Sequence, residues 1–295
     1  MLPMRVVIAH NSQPASSIVA SVLHAVDAQR ILVSGTIGEH HKKALSQYFT
    51  PMPVARFMAS LAQFPAKDAV SIIDPAAGIG SLLAAAVGAL CALPVHPTTL
   101  HLTAYEIDAA LLPYLQRSLD LCQQMAMAAG IHCEYTVVHA EFLEGAIQQL
   151  DMGLFATIAM QRYDLAILNP PYVKIHTQSR TRAILRRMGL ETTNIYAGFL
   201  YATMRLLHPD GMLVSLTPRS FCNGTYFRPF RHAFLREMTL RQIHLFDSRR
   251  ATFASDDVLQ EQIILACVKT AKQSASVRLS TSTADMNDLT TFEAI

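Results

Sequence analysis

From Val70 onward, short apolar runs alternate with longer stretches of helical pattern. That alternation restricts the chain to an α/β fold whose mostly parallel sheet is covered on both faces, a three-layer sandwich. The runs predict seven strands, at Val70–Ile73, Leu100–Glu106, Glu134–His139, Asp164–Leu168, Gly211–Leu216, Arg241–Phe246 and Gln262–Val268. Helices are expected over Gly80–Leu93, Ala109–Ala129 and Ala197–Leu207, the last stopped by His208-Pro209-Asp210-Gly211. No helical pattern separates the last two strands, which predicts an antiparallel strand at the sheet edge. Residues 44–270 then form one domain, preceded by a helical extension over residues 1–43 with Ser16–Gln29 as its helix. Residues 271–295 are rich in Ser and Thr and low in large apolar side chains, the composition of a tail.

With 295 residues and 51% hydrophobic content, the chain buries a large core without disulfide staples. Its five cysteines are odd in number and scattered, with no C-x-x-C pair or zinc-like spacing, and its twelve histidines form no ligand cluster. A reducing cytoplasm and no metal follow. The first ten residues run into Asn11-Ser12-Gln13-Pro14, unlike a signal peptide. The apolar stretch Ile79–Val95 contains Pro94 and follows a polar turn, so it is a buried helix rather than a membrane span. Net charge is only +2, so any nucleic-acid contact must come from local basic clusters.

The chemistry concentrates at the carboxyl ends of the predicted strands, where open α/β sheets bind ligands. Asp74-Pro75-Ala76-Ala77-Gly78-Ile79-Gly80 follows the first strand and opens a helix, with Gly78 and Gly80 permitting close backbone approach. It lacks the Gly-Lys-Ser/Thr of a phosphate loop and the third glycine of a dinucleotide fingerprint, and a turn needing small residues explains a lone Gly-x-Gly as well. Glu106, at the tip of the second strand, suits a pair of ribose hydroxyls, while Asp108 beside it suits a helix cap. After the third strand, Glu141 suits the exocyclic amine of an adenine and Phe142 its ring or the core. Asn169-Pro170-Pro171-Tyr172 ends the fourth strand. The Asn169 carboxamide and Pro170 carbonyl can accept both N–H bonds of an amine on a flat ring, Tyr172 can stack on that ring, and Pro170 and Pro171 hold the turn rigid.

In this order the motifs resemble the class I S-adenosylmethionine-dependent (Rossmann-like) methyltransferases. Within them, they resemble the gamma-type DNA adenine-N6 methyltransferases, TaqI-like and PstI-like, of restriction-modification systems. The likeness spans roughly residues 45–269 and includes Gln47-Tyr48-Phe49-Thr50-Pro51 before the first strand. It implies that Tyr48, Phe49, Thr50 and Pro51 border S-adenosylmethionine. Asp74, Gly78 and Gly80 then lie at its amino-acid moiety, Glu106 at its ribose, and Glu141 and Phe142 at its adenine. Family members usually carry Asp where Glu141 stands. By the same likeness Asn169, Pro170, Pro171 and Tyr172 are catalytic, and no metal or covalent nucleophile is involved. The target base must be flipped from the duplex, which calls for a second aromatic contact. By its spacing from Pro218, Phe227 resembles the family's second stacking position, with core packing as its competing role and Tyr226 as its rival.

Lys174, Arg180, Arg182, Arg186 and Arg187 follow the catalytic turn with no acid before Glu191, a candidate phosphate-contacting stretch or a solvated face. Arg228, Arg231, Arg249 and Arg250 extend it. None of the six lysines has Asp or Glu two positions before it, so no acid-x-Lys nuclease element is fused here. The family commonly carries a long target-recognition domain after the catalytic domain. Its absence implies a separate specificity or restriction subunit, or a fragment with impaired DNA binding. Three other activities share the pocket chemistry: protein glutamine-N5 methylation of release factors, RNA base methylation, and a non-catalytic DNA-binding role.

Overall fold

The computed structural model describes residues 15–37, 48–152, 161–176, 178–246, 261–283, 286 and 288–294. Nine strands form one sheet: β1 (Ala69–Asp74), β2 (Thr99–Glu106), β3 (His132–His139), β4 (Tyr163–Leu168), β5 (Leu207–Pro218), β6 (Met238–Phe246), β7 (Gln262–Lys269), β8 (Val277–Ser282) and β9 (Thr290–Ala294). Their order is β3-β2-β1-β4-β5-β7-β6-β8-β9. The first five run parallel, and β7 pairs antiparallel with β5 on one side and β6 on the other.

Strand β4 shows why the sheet has helices on both faces. All six of its residues are buried. Successive side chains of a strand point to opposite faces. Leu165 and Ile167 accordingly join one apolar core and Ala166 and Leu168 the other. The first core is closed by α1 (Ala15–Thr36), α2 (Met52–Ser60), α3 (Ser81–Cys91) and α4 (Leu112–Ala128). The second is closed by α5 (Phe142–Met152), α6 (Arg180–Arg187), α7 (Ile195–Leu206) and α8 (Arg228–Glu237). Pro53, Pro113 and Pro229 sit in the first turns of α2, α4 and α8, where a missing N–H costs nothing.

Three expectations are corrected. Among the described residues the sheet has nine strands, not seven. The antiparallel strand β7 is interior rather than at the edge, because β6 and then β8 and β9 continue the sheet beyond it. Residues 277–282 and 290–294 are not a mere tail: β8 pairs parallel with β6, and β9 antiparallel with β8. What holds β8 is polar. Gln242 Nε2 donates to Ser280 Oγ (2.9 Å), and Ser280 and Ser282 lie 2.9 and 3.0 Å from the two ring nitrogens of buried His244. The ring of Phe57 on α2 packs on that imidazole at 4.5 Å between centroids.

Helix α1 of the N-terminal extension is likewise part of the body. Helix α1 is long and apolar enough to cross a membrane, yet Val22, Leu23, Val26 and Val33 are buried in the first core. Gln29 Nε2 donates to the Tyr114 carbonyl and to Ser118 Oγ on α4, both at 2.9 Å.

Candidate active site

The turn from β1 into α3 is tied to the end of β2 by hydrogen bonds. Ala77 N–H donates to the Tyr105 carbonyl (2.9 Å), and Gly78 N–H to Glu106 Oε2 (2.8 Å). Asp108 N–H donates to the other Glu106 oxygen (2.8 Å), and Asp108 Oδ1 accepts from Ala110 N–H, so Asp108 caps its own turn. Glu106 is buried, which raises its carboxyl pKa, while the Asp108 and Gly78 N–H groups pull it back. Each of its oxygens keeps a lone pair for a further donor. Asp74 is fully buried: Ala76 N–H donates to Oδ1 (3.0 Å), and Oδ2 has no partner. Burial, opposed by that N–H and reinforced by the charge of Glu106, pushes its pKa up to about 8.

Both glycines of the turn have positive φ, but they serve different neighbours. A Cβ on Gly78 (φ 55°) would meet the Phe49 ring at 3.4 Å, at the floor of the cleft. A Cβ on Gly80 (φ 90°) would meet Ser118 and Leu115 of α4 at 3.1 and 3.2 Å. Gly80 therefore needs to be glycine for the packing of α3 against α4. Ser81, the first residue of α3, has a buried hydroxyl without a partner at a small recess that Thr50 and Asn169 also line.

Glu141 accepts from Glu144 N–H (2.9 Å), and burial raises its pKa against that bond. Phe142 is buried edge-on against Tyr105 and beside Phe199, with ring centroids at 5.3 and 5.2 Å, and still forms part of the cleft wall. Helix α7 supplies Ile195 and Phe199 to the opposite wall. The cleft holds about 260 Å³ and is lined by Tyr48, Phe49, Gly78, Glu106, Glu141, Phe142, Asn169 and Pro171, among others. Residues from four strand ends and the segment before β1 thus meet in one place. Pro51 does not line it; it begins α2, and its carbonyl accepts from Ala55 N–H (2.9 Å).

At the end of β4, Asn169 Nδ2 donates to the Tyr48 carbonyl (3.0 Å) and to Thr50 Oγ1 (3.2 Å). The Tyr172 hydroxyl lies 2.7 Å from Asn169 Oδ1 and 3.1 Å from the Leu216 carbonyl. It has one proton for two acceptors. Pro170 is buried, and among the described residues no hydrogen bond ends on its carbonyl. The Tyr172 ring meets Tyr196 edge-on at 6.4 Å, and Tyr196 meets Phe227 at 5.8 Å. Phe227 is therefore a buried residue separated from Tyr172 by the Tyr196 ring and outside the cleft lining, while its neighbour Tyr226 is 61% exposed.

The basic stretch is less cationic than its composition. Arg180 pairs with Glu144 (3.0 Å); Arg182 and Arg186 both grip Glu191, at 2.9 and 2.7 Å through their Nε–H groups. Those bonds hold the Glu191 carboxyl down to about 2. Lys174 is exposed and makes no ion pair among the described residues. Arg249 and Arg250 lie outside the described residues. No group of three metal-ligating side chains occurs among the described residues.

The polar groups suit an adenosyl amino acid. Orphaned Asp74 Oδ2 and Ser81 Oγ offer partners to an ammonium or carboxylate, Glu106 retains acceptors for a diol, and Gly78 keeps the floor free of a Cβ. Ser81 was missed by sequence reasoning, although a Ser opening the helix after Gly-x-Gly is a usable signal.

The chain matches the model of the Eco57I restriction-modification methylase family over residues 116–253. It is 35% identical to the Type II methyltransferase M.PstI of Providencia stuartii over 96% of this chain and 54% of that protein. To M.BsuBI of Bacillus subtilis it is 37% identical over 90% of this chain and 51% of that protein. The chain thus spans about half the length of the curated relatives it matches. Its fold is shared with a Listeria monocytogenes protein described as a class I S-adenosylmethionine-dependent methyltransferase, at TM-score 0.66 and 18% identity over 93% of this chain and 75% of that one. It is also shared with the modification subunit of a type I restriction enzyme from Vibrio vulnificus, at TM-score 0.64 and 17% identity over 91% and 53%. The chain is thus similar to the Eco57I restriction-modification methylase family over residues 116–253 and to two Type II methyltransferases over nearly its whole length.

Proposed function

We propose that the chain is the catalytic portion of a site-specific DNA adenine-N6 methyltransferase that uses S-adenosylmethionine. The observation that carries this is the meeting of Asn169 and Pro171 with Glu106 and Glu141 in one cleft. S-adenosylmethionine supplies an electrophilic methyl group when bound. Asp74, Gly78 and Ser81 would hold its amino-acid end, Glu106 its ribose, and Glu141 and Phe142 its adenine, with Tyr48 and Phe49 closing the cleft.

Asn169 Oδ1 and the Pro170 carbonyl accept the two hydrogens of the target amine, which turns its lone pair toward the cleft. The acceptors are fixed before the base arrives, and they favour positive charge growing on the nitrogen. For the amine to reach Oδ1, the Tyr172 O–H turns from Oδ1 to the Leu216 carbonyl, already 3.1 Å away. The Tyr172 ring covers one face of the flipped base and so substitutes for the neighbouring bases it stacked on in the duplex. Exposed Tyr226 is better placed than Phe227 for further contact with DNA. Lys174, with Arg180 and Arg182 once released from their carboxylates, would contact phosphates. We assign choice of the target sequence to protein outside residues 44–270, such as a separate specificity or restriction subunit, and the site of action to the cytoplasm.

Incubation with labelled S-adenosylmethionine and DNA, RNA or a release factor, followed by mass spectrometry, tests the proposal. N6-methyladenine in DNA is expected, and Asn169→Ala should abolish it while sparing cofactor binding. Methylglutamine in the release factor with DNA unlabelled would refute it.

A further inference from the structure

We infer that Thr50 is a positioning residue for methyl transfer, which together with the Tyr48 carbonyl holds the Asn169 carboxamide with its oxygen toward the target amine. The inference rests on the amine-accepting role of Asn169 proposed above.

A carboxamide is nearly symmetric in shape but opposite in polarity at its two ends. Rotation by half a turn would replace the acceptor Oδ1 with a donor and repel an incoming N–H. One neighbour forbids that rotation, and a second, a hydroxyl able to donate or accept, anchors the carboxamide in the orientation so chosen. The Tyr48 carbonyl, 3.0 Å from Nδ2, can only accept, so a turned Oδ1 would face lone pairs. Thr50 Oγ1, at 3.2 Å, takes the second Nδ2 hydrogen. Both N–H bonds of Asn169 are thus used within the protein, and Oδ1 is left as the group facing Tyr172.

Thr50 is 4% exposed, and its oxygen bridges a sequence separation of 119 residues to the end of β4. Hydrogen bonding at the nitrogen of an amide also draws electron density toward its oxygen, since linked hydrogen bonds polarise one another. Thr50 therefore both anchors Oδ1 in that orientation and strengthens it as an acceptor. The segment Tyr48–Thr50 does more than line the cleft and its recess: it sets the acceptor of a different motif.

Thr50→Val keeps the shape of the side chain and leaves one Nδ2 hydrogen unpaired. The expected result is a fall of about tenfold in the single-turnover transfer rate at saturating cofactor and DNA. S-adenosylmethionine affinity, measured by calorimetry, should change by less than about twofold, and Thr50→Ser should restore the rate. In asparagine-labelled protein, Thr50→Val should also speed hydrogen exchange at one of the two Asn169 side-chain protons by about tenfold, without any substrate. An unchanged rate, or a cofactor affinity that falls as far as the rate does, would overturn the inference. If the wild-type protein transfers no methyl to DNA, the proposed activity fails. The exchange measurement alone then decides the role of Thr50, with equal exchange in both proteins counting against it.

Discussion

On the proposed assignment, in which Asp74 meets the ammonium of S-adenosylmethionine, cofactor binding should release a proton. Asp74 Oδ2 is buried and unpaired, and the carboxyl pKa stands at about 8. At pH 7 the carboxyl is therefore about nine-tenths protonated. A cationic ammonium placed at Oδ2 favours the carboxylate, so binding S-adenosylmethionine should release about 0.9 proton at pH 7. Affinity should rise about ninefold between pH 6 and pH 7, as the ionised fraction rises from about 0.01 to about 0.09. Calorimetry at pH 7 in two buffers of different protonation enthalpy measures the released proton directly.

The same carboxyl acts on stability with a definite sign. Its folded pKa lies above its unfolded value of 3.8, so the stability it contributes is complete at acid pH and is lost as pH rises through 8. Between pH 6 and pH 8 the unliganded protein should lose about 2 kcal/mol from this group. Asp74→Asn, which cannot titrate, should flatten both pH dependences. A binding heat independent of buffer, with equal affinity at pH 6 and pH 7, would refute the reasoning.

Burial lowers the His244 pKa from 6.5 to about 4, so its stability contribution is present above pH 6.5 and lost as pH falls toward 4. Between pH 8 and pH 5 that amounts to about 2 kcal/mol, to be checked by urea denaturation with His244→Gln as the non-titrating control. Gly80→Ala, at φ 90° and tight against Ser118 and Leu115, should cost about 1–3 kcal/mol in the same assay. Glu191→Gln should loosen Arg182 and Arg186, tighten DNA binding at low salt and steepen its salt dependence by about one to two charges in a filter or fluorescence titration. Tyr172→Phe, which keeps the ring and removes the hydroxyl from Asn169 Oδ1, should hold kcat/KM within about threefold, whereas Tyr172→Ala should lower it by about 10- to 100-fold in a methylation assay.

The five parallel strands were legible because each is a short apolar run whose neighbours obey a covering helix. The position of β7 was not, since an apolar period says which faces are buried but not which strands are adjacent. Strand β8 escaped notice for a sharper reason: Ser280 and Ser282 are buried hydroxyls paired to His244, so the expected alternation is polar where it should be apolar. In the site, Asn169, Glu106 and Glu141 stood at strand ends and announced themselves. Ile195 and Phe199 did not, because they reach the cleft from the far wall on α7, whose apolar face reads simply as core. The basic stretch misled for a related reason, as Glu144 precedes it by a helix and Glu191 follows its last arginine.

The interior place of β7 sets the order in which the molecule can be completed. Strands β1 to β5 can assemble once residue 218 has left the ribosome, but the partner of β5 is made only at Gln262–Lys269. Throughout that interval the buried run from Gly211 to Pro218 is an open edge. Strand β6 emerges first and pairs with β7, not β5, so it offers β5 a neighbour that the finished sheet never uses. The nascent chain is therefore most exposed to misregistered pairing and aggregation after its substrate cleft has largely been assembled and before β7 is made.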